Sequence, residues 1–259
     1  MKRKFIVITA LLSFFLLSFH YVPFLSTFSR EQFWQIFAVL SLGSSIIAFW
    51  GTWRGFTILP LLVLPTLYPL GITFFSSLLP DHWIVPLLLA LWFGISFYFL
   101  LLVENIYAVS SIRAIPLIRA ALPIGVLFTV ATAFLLLTTI FSIRQQGIVN
   151  GVLTVLLVFP LSLQSLWAVK LDDVISERVI ILSLVTSLVM GEIAGWASLL
   201  PGRPSLHGLF LAVLFYCVLS VVREELEGGF LKKSSFGEYA VVGGIATIGF
   251  LFFSLVPTL

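Results

Sequence analysis

The feature that most limits what this chain can become is a run of nine apolar stretches. They lie at positions 5–25, 33–51, 56–79, 84–103, 122–141, 148–169, 179–200, 206–222 and 239–256, with short polar connections between them. Each is near the roughly 20 residues that an α-helix needs to cross the ~30 Å hydrocarbon core at about 1.5 Å per residue. A chain of 259 residues, 60% hydrophobic and only 10% charged, has too little interior to hide nine such stretches from water. In lipid every backbone polar group must be satisfied by the protein itself, so only helices or a closed barrel can span. Barrel strands are about 10 residues long and alternate apolar with polar, and these stretches do neither. The predicted fold is therefore all-α: one polytopic transmembrane domain over 1–259, a bundle of about nine helices.

Charge placement predicts an orientation. Met1-Lys2-Arg3-Lys4 before an apolar run imitates a secretory signal. The run continues through Phe19, His20, Tyr21 and Val22 with no small-residue cleavage pattern, so it is read as a retained first helix. With the N-terminus inside, the cytoplasmic connections hold Lys2, Arg3, Lys4, Arg54, Arg113, Arg119, Lys170, Arg178, Arg223, Lys232 and Lys233. The outer connections hold Arg30, Arg144 and Arg203, which completes the 14 basic residues. Eleven against three follows the excess of Lys and Arg on cytoplasmic loops, and it places the C-terminus outside. Trp34, Trp50, Trp53, Trp83, Trp167 and Trp196 fall near predicted helix ends, where indole rings favour the headgroup zone, and Trp92 does not.

Several function classes drop out. The net charge of +3 is spread over short loops with no basic stripe, which excludes nucleic acid as a partner. The single cysteine, Cys217, allows no internal disulfide. There is no phosphate-binding loop, nucleophile elbow or dinucleotide fingerprint, so no cofactor is predicted. The lipid bilayer is the one partner the composition names; protein partners and a homo-oligomer stay open.

An internal repeat is one reading of the chain. Ser77-Leu78-Leu79-Pro80 recurs as Ser198-Leu199-Leu200-Pro201, and at the same offset Glu104 matches Glu225. One helix followed by two parallel four-helix units, 33–141 and 148–256, would result, as in some transporters. Pro60, Pro65, Pro69 and Gly71 predict a kinked or interrupted third helix. Gly243, Gly244 and Gly249 predict tight packing of the ninth.

Two groups of polar residues are candidates for chemistry. Glu192, in Met190-Gly191-Glu192-Ile193-Ala194-Gly195-Trp196, lies inside the seventh stretch. A charged side chain at the helix centre costs about 2.5–3.5 kcal/mol on insertion scales, so such an acid faces protein or water by default. It reads either as a proton relay or substrate contact, or as an interhelical hydrogen bond where Gly191 and Gly195 permit close approach. His20, His82 and His207 fall toward the same outer half. Histidines with a carboxylate can pass protons or bind zinc, but no paired metal-ligand spacing exists and no metal site is predicted. Headgroup contact at the interface is the simpler expectation for all three.

The second group is an inner-face cluster of Glu104, Asn105, Arg113, Arg119 and Asp172. On a continuous helix Asn105 and Arg119 would share a face, although Pro116 intervenes. The loop with Asp172 and Asp173 resembles the acidic loop of UbiA-type prenyltransferases only in part, since their other acidic motif has no counterpart in Thr52-Trp53-Arg54-Gly55. Arg223-Glu224-Glu225 resembles the CAAX-type protease pattern, but Gly229 stands where that pattern needs arginine.

The segment Leu101-Leu102-Val103-Glu104-Asn105-Ile106-Tyr107-Ala108-Val109-Ser110-Ser111-Ile112-Arg113, with Arg119-Ala120-Ala121 after it, resembles a family of multi-pass membrane proteins from small-genome candidate-phyla bacteria. The resemblance implies a bacterial inner membrane and no assigned activity. Three functions follow as expectations: a small-solute or lipid-handling transporter-like protein, a membrane-embedded enzyme on a lipid-linked substrate, or an assembly subunit.

Overall fold

The computed structural model describes residues 2–21, 30–50, 58–80, 82–111, 116–172, 174–228 and 233–255. Among these the chain is all-helical, with nine α-helices and no strand. They are α1 (Lys2–Tyr21), α2 (Arg30–Ala48), α3 (Ile58–Ser76), α4 (Ile84–Ser110), α5 (Ile118–Ser142), α6 (Gly147–Lys170), α7 (Glu177–Ala197), α8 (Pro204–Leu226) and α9 (Lys233–Leu255). Seven of them, α3 to α9, are long and apolar enough to cross a membrane, while the apolar part of α2, Gln32–Ala48, is shorter. The chain is an integral, multi-pass membrane protein. Two compact units divide it, 1–128 and 129–259, with the boundary inside α5.

Unit 1 packs α1 against α4 and α2 against α3, with α3 also on α4. Its interior is aromatic. Phe93 stacks on Phe97 at 5.2 Å, Phe37 meets Phe93 at 6.0 Å, and the Tyr68 hydroxyl donates to Ser96 at 2.7 Å. Of the two expected outcomes, a kink or an interruption, the interruption does not occur: helix α3 runs unbroken through Pro65 and Pro69. Pro69 has no N–H for the carbonyl of Pro65, and the Ser45 hydroxyl of α2 donates to that carbonyl at 3.3 Å instead.

Unit 2 is built on α6 and α7. Gly147-x-x-x-Gly151 of α6 faces Gly195 and Gly191 of α7. A Cβ added at Gly147 would stand 3.0 Å from the Gly195 carbonyl oxygen, and one at Gly151 would stand 3.0 Å from that of Gly191. Small residues let the two backbones touch, which is how helices without a hydrophobic driving force associate in lipid. Ser162 extends the seam by donating to the Ser183 carbonyl at 3.2 Å, and Asn150 Nδ2 donates to the Ser198 hydroxyl at 3.1 Å. Helix α8 packs on α7, and α9 on α8.

The two Ser-Leu-Leu-Pro segments fold alike. Leu78 and Leu79 donate to Phe75 and Ser76, as Leu199 and Leu200 donate to Trp196 and Ala197, each closing a tight turn after its helix. The glutamates at the same offset differ: Glu104 is fully buried, whereas the side chain of Glu225 is exposed and pairs with Arg178 at 3.2 Å.

Candidate functional site

The α8–α9 side of unit 2 is where the bundle opens. A cavity of about 970 Å³ is lined by Phe134 of α5, Pro201, Gly202 and Arg203 of the α7–α8 connection, Ser205, Leu206 and Leu209 of α8, and Phe253 to Leu255 of α9. A second, of about 470 Å³, lies between Leu206, Leu209, Phe210 and Val213 of α8 and Val242, Ile245, Ala246, Gly249, Phe250 and Phe253 of α9. The two share Leu206, Leu209 and Phe253, so they adjoin along α8 and α9 and together are called the α8–α9 groove. Its polar end lies at the start of α8, with Arg203 as its charged lining residue and Ser205 beside it. From there its walls are almost wholly apolar.

Sequence reasoning missed this groove. It took the α9 glycines for tight packing, yet a Cβ at Gly244 or Gly249 would meet nothing within 4 Å. Gly243 alone approaches α8, 3.5 Å from Leu214. Glycine signals closeness only when another backbone comes to meet it. The usable signal was the bare Gly-Arg-Pro before an apolar helix, at an end of the unit whose two connections carry no acid.

His207 belongs to the wall behind the groove. It is buried in α8, so its ring is enclosed by protein and not open to the headgroup contact that the sequence suggested. Its ring stacks on Phe141 of α5 at 4.7 Å and meets Phe250 of α9 edge-on at 5.0 Å. Nδ1 lies 3.1 Å from the Arg203 carbonyl oxygen and Nε2 lies 3.1 Å from that of Ala197. A neutral imidazole has a single N–H, so only a doubly protonated ring donates to both. The ring ties the end of α7, the start of α8 and the flanks of α5 and α9 together, and it fixes the connection that carries Arg203.

The other candidates lie apart. Glu192 is exposed on the flank of α7, in line with the exposed Ile181, Val185, Leu188 and Trp196. It makes no hydrogen bond or ion pair with another described residue. Its neighbours Gly191 and Gly195 form the seam with α6, and both ring nitrogens of His207 are taken by backbone carbonyls. His82 is exposed before α4, with Nδ1 accepting from the Ile84 N–H at 3.4 Å. The side chain of His20 lies outside the described residues. Among the described residues no three His, Cys, Asp or Glu side chains converge as metal ligands.

The inner-face cluster does not assemble on one helix. Helix α4 ends at Ser110 and α5 begins at Ile118, so Asn105 and Arg119 are not on one continuous helix. Glu104 is fully buried, Asn105 Oδ1 is buried without a hydrogen-bond partner, and Arg119 is exposed. Arg113 lies outside the described residues. Asp172 belongs to unit 2, where its carbonyl accepts from the buried Trp167 indole at 3.0 Å. That bond fastens the end of α6, where Leu171 is left-handed, and Trp167 is enclosed by protein there.

Comparison with protein-family models, curated proteins and solved structures finds no match to this chain.

Proposed function

We propose that the protein handles lipid, and that the α8–α9 groove is where it holds an amphiphile's acyl chain. One observation carries this reading: an apolar groove, open along its side, starts at a helix end and runs inward. From Arg203 to Val213 it covers ten residues of helix, about 15 Å at 1.5 Å per residue. That is half of the ~30 Å hydrocarbon core, the depth of one leaflet and so of one lipid chain. A polar solute would need convergent polar groups along such a path, whereas these walls offer aliphatic and aromatic side chains. The distribution of basic residues favours the mouth in the outer leaflet, and the resemblance at Glu104–Ala121 supports a bacterial membrane.

Gly249 gives the test. It lines the groove and has open space at its Cβ, so Gly249→Leu fills the groove without displacing protein. Gly244→Leu is the matched control, on the same helix with equal space and outside the groove lining. Lipid retained after mild detergent extraction is counted by native mass spectrometry. The reading expects Gly249→Leu to lower retention several-fold and Gly244→Leu to leave it unchanged. Equal retention in both variants sinks it.

A further inference from the structure

We propose that the groove selects a membrane lipid with an anionic headgroup, seated on Arg203 and the first turn of α8. This rests on the reading of the groove as an acyl-chain site and adds the chemistry of its polar end.

Three observations converge there. First, Arg203 lines the mouth, and its exposed guanidinium can fork onto a phosphate or carboxylate. Second, Arg203 is also the N-cap residue of α8 and provides no side-chain cap. Pro204 has no N–H, while Ser205, which lines the cavity, has its N–H in the turn where the helix dipole is positive. The fixed backbone charge and the mobile side-chain charge thus have the same sign.

Third, the two connections at this end of unit 2 are free of acid in sequence. Phe141 on His207 places the end of α5 beside the start of α8, and Asn150 on Ser198 places the start of α6 beside the end of α7. The connections at this end, 143–146 and 198–203, contain Arg144 and Arg203 and no Asp or Glu. The opposite end mixes signs, with Lys170, Asp172, Glu177, Arg178, Arg223, Glu224 and Glu225. An anion at the mouth therefore meets Arg203 and no competing carboxylate within these two connections. A zwitterionic headgroup would bring a cation into the same field. His207 contributes by position: held by two carbonyls, it fixes the backbone at Arg203, and a Cβ at Gly202 would come within 2.7 Å of its ring.

The experiment uses the full chain in nanodiscs of equal phosphatidylglycerol and phosphatidylcholine. It is then extracted in mild detergent, and the two retained lipids are counted by native mass spectrometry. Wild type is expected to retain phosphatidylglycerol over phosphatidylcholine several-fold. Arg203→Gln should bring the ratio near one, Arg203→Lys should keep most of it, and Arg144→Gln should leave it unaltered. A wild-type ratio of one overturns the proposal, as does an equal loss in Arg144→Gln, which would mean a diffuse surface charge. The groove reading is judged separately, by total lipid in Gly249→Leu. If that total falls while no headgroup preference exists, the anionic-lipid proposal fails and the groove stands.

Discussion

The α6–α7 seam and the α8–α9 seam of unit 2 use the same residue with opposite results. In the first, Gly147 and Gly151 meet Gly195 and Gly191 with carbonyl oxygens 3.0 Å from where side chains would begin. In the second, Gly249 meets nothing within 4 Å. One glycine pattern closes two helices onto each other, and the other leaves a groove about 15 Å long. What separates them is reciprocity. The closed seam has small residues on both helices at matching depths, together with hydroxyl donors such as Ser162. The open one sets Gly249 in a cavity walled by Leu206, Leu209, Phe210 and Val213 of α8. A membrane bundle is thus rigid where glycines pair and accessible where they do not.

The largest effect expected from breaking that contrast is at Gly151. Gly151→Leu would drive a side chain into the Gly191 backbone, which has no rotamer to give. Overpacking of a well-packed core costs about 1–3 kcal/mol, and contact with backbone belongs at or above the upper end of that range. The variant should extract as aggregate or melt far below wild type in a detergent thermal-shift assay. Near-native melting would mean that the seam is looser than these distances imply. Gly249→Leu, by contrast, should melt like wild type while losing lipid, and the pair together separates the folding seam from the binding seam.

Next in size is His207→Leu. The substitution keeps an apolar side chain between Phe141 and Phe250 but leaves the Arg203 and Ala197 carbonyls without the ring nitrogens. Both carbonyls keep backbone donors, the Leu206 and His207 N–H on Arg203 and the Leu200 N–H on Ala197, so the loss is that of an ordinary hydrogen bond, about 0.5–1.5 kcal/mol. Melting should fall by several degrees, and the headgroup preference assigned to Arg203 should weaken more than total lipid retention does. If preference and retention fall together, His207 supports the groove as a whole and not its mouth.

These effects also mark what the sequence could show. Hydropathy alone carried the helices, because the bilayer imposes one secondary structure on any long apolar segment. Gly191-x-x-x-Gly195 was readable as a contact, but its partner glycines lie some 40 residues earlier, and only the fold pairs them. The carbonyl left free by Pro69 is met by a serine twenty residues upstream, a long-range donor that no local rule reports. His207 looked interfacial because its distance from the chain's charged connections is small. Its burial comes from Phe141 and Phe250, which arrive from two other helices. The groove was invisible for the same reason: it is defined by what fails to approach α9.

The smallest effect is expected at Glu192, the residue that stood out most in sequence. It stands one helical position, about 100°, from Gly191, so a seam that buries Gly191 turns Glu192 off to the side. Its flank carries Ile181, Val185, Leu188 and Trp196, all exposed, whereas the groove is walled by α8 and α9. Glu192→Gln should therefore leave melting temperature and lipid retention at wild-type values, since no described hydrogen bond or ion pair is lost. Glu192→Leu should hold or slightly raise stability in a bilayer, because it removes an acid from an apolar flank whose charged form would cost about 2.5–3.5 kcal/mol at the helix centre. Blue-native electrophoresis of the same variants is the sharper measurement. If either substitution changes the mobility of the assembled protein, the α7 flank faces another protein, and the acid is part of an interface. If neither does, Glu192 sits on a lipid-facing surface and the α8–α9 groove is the site to pursue.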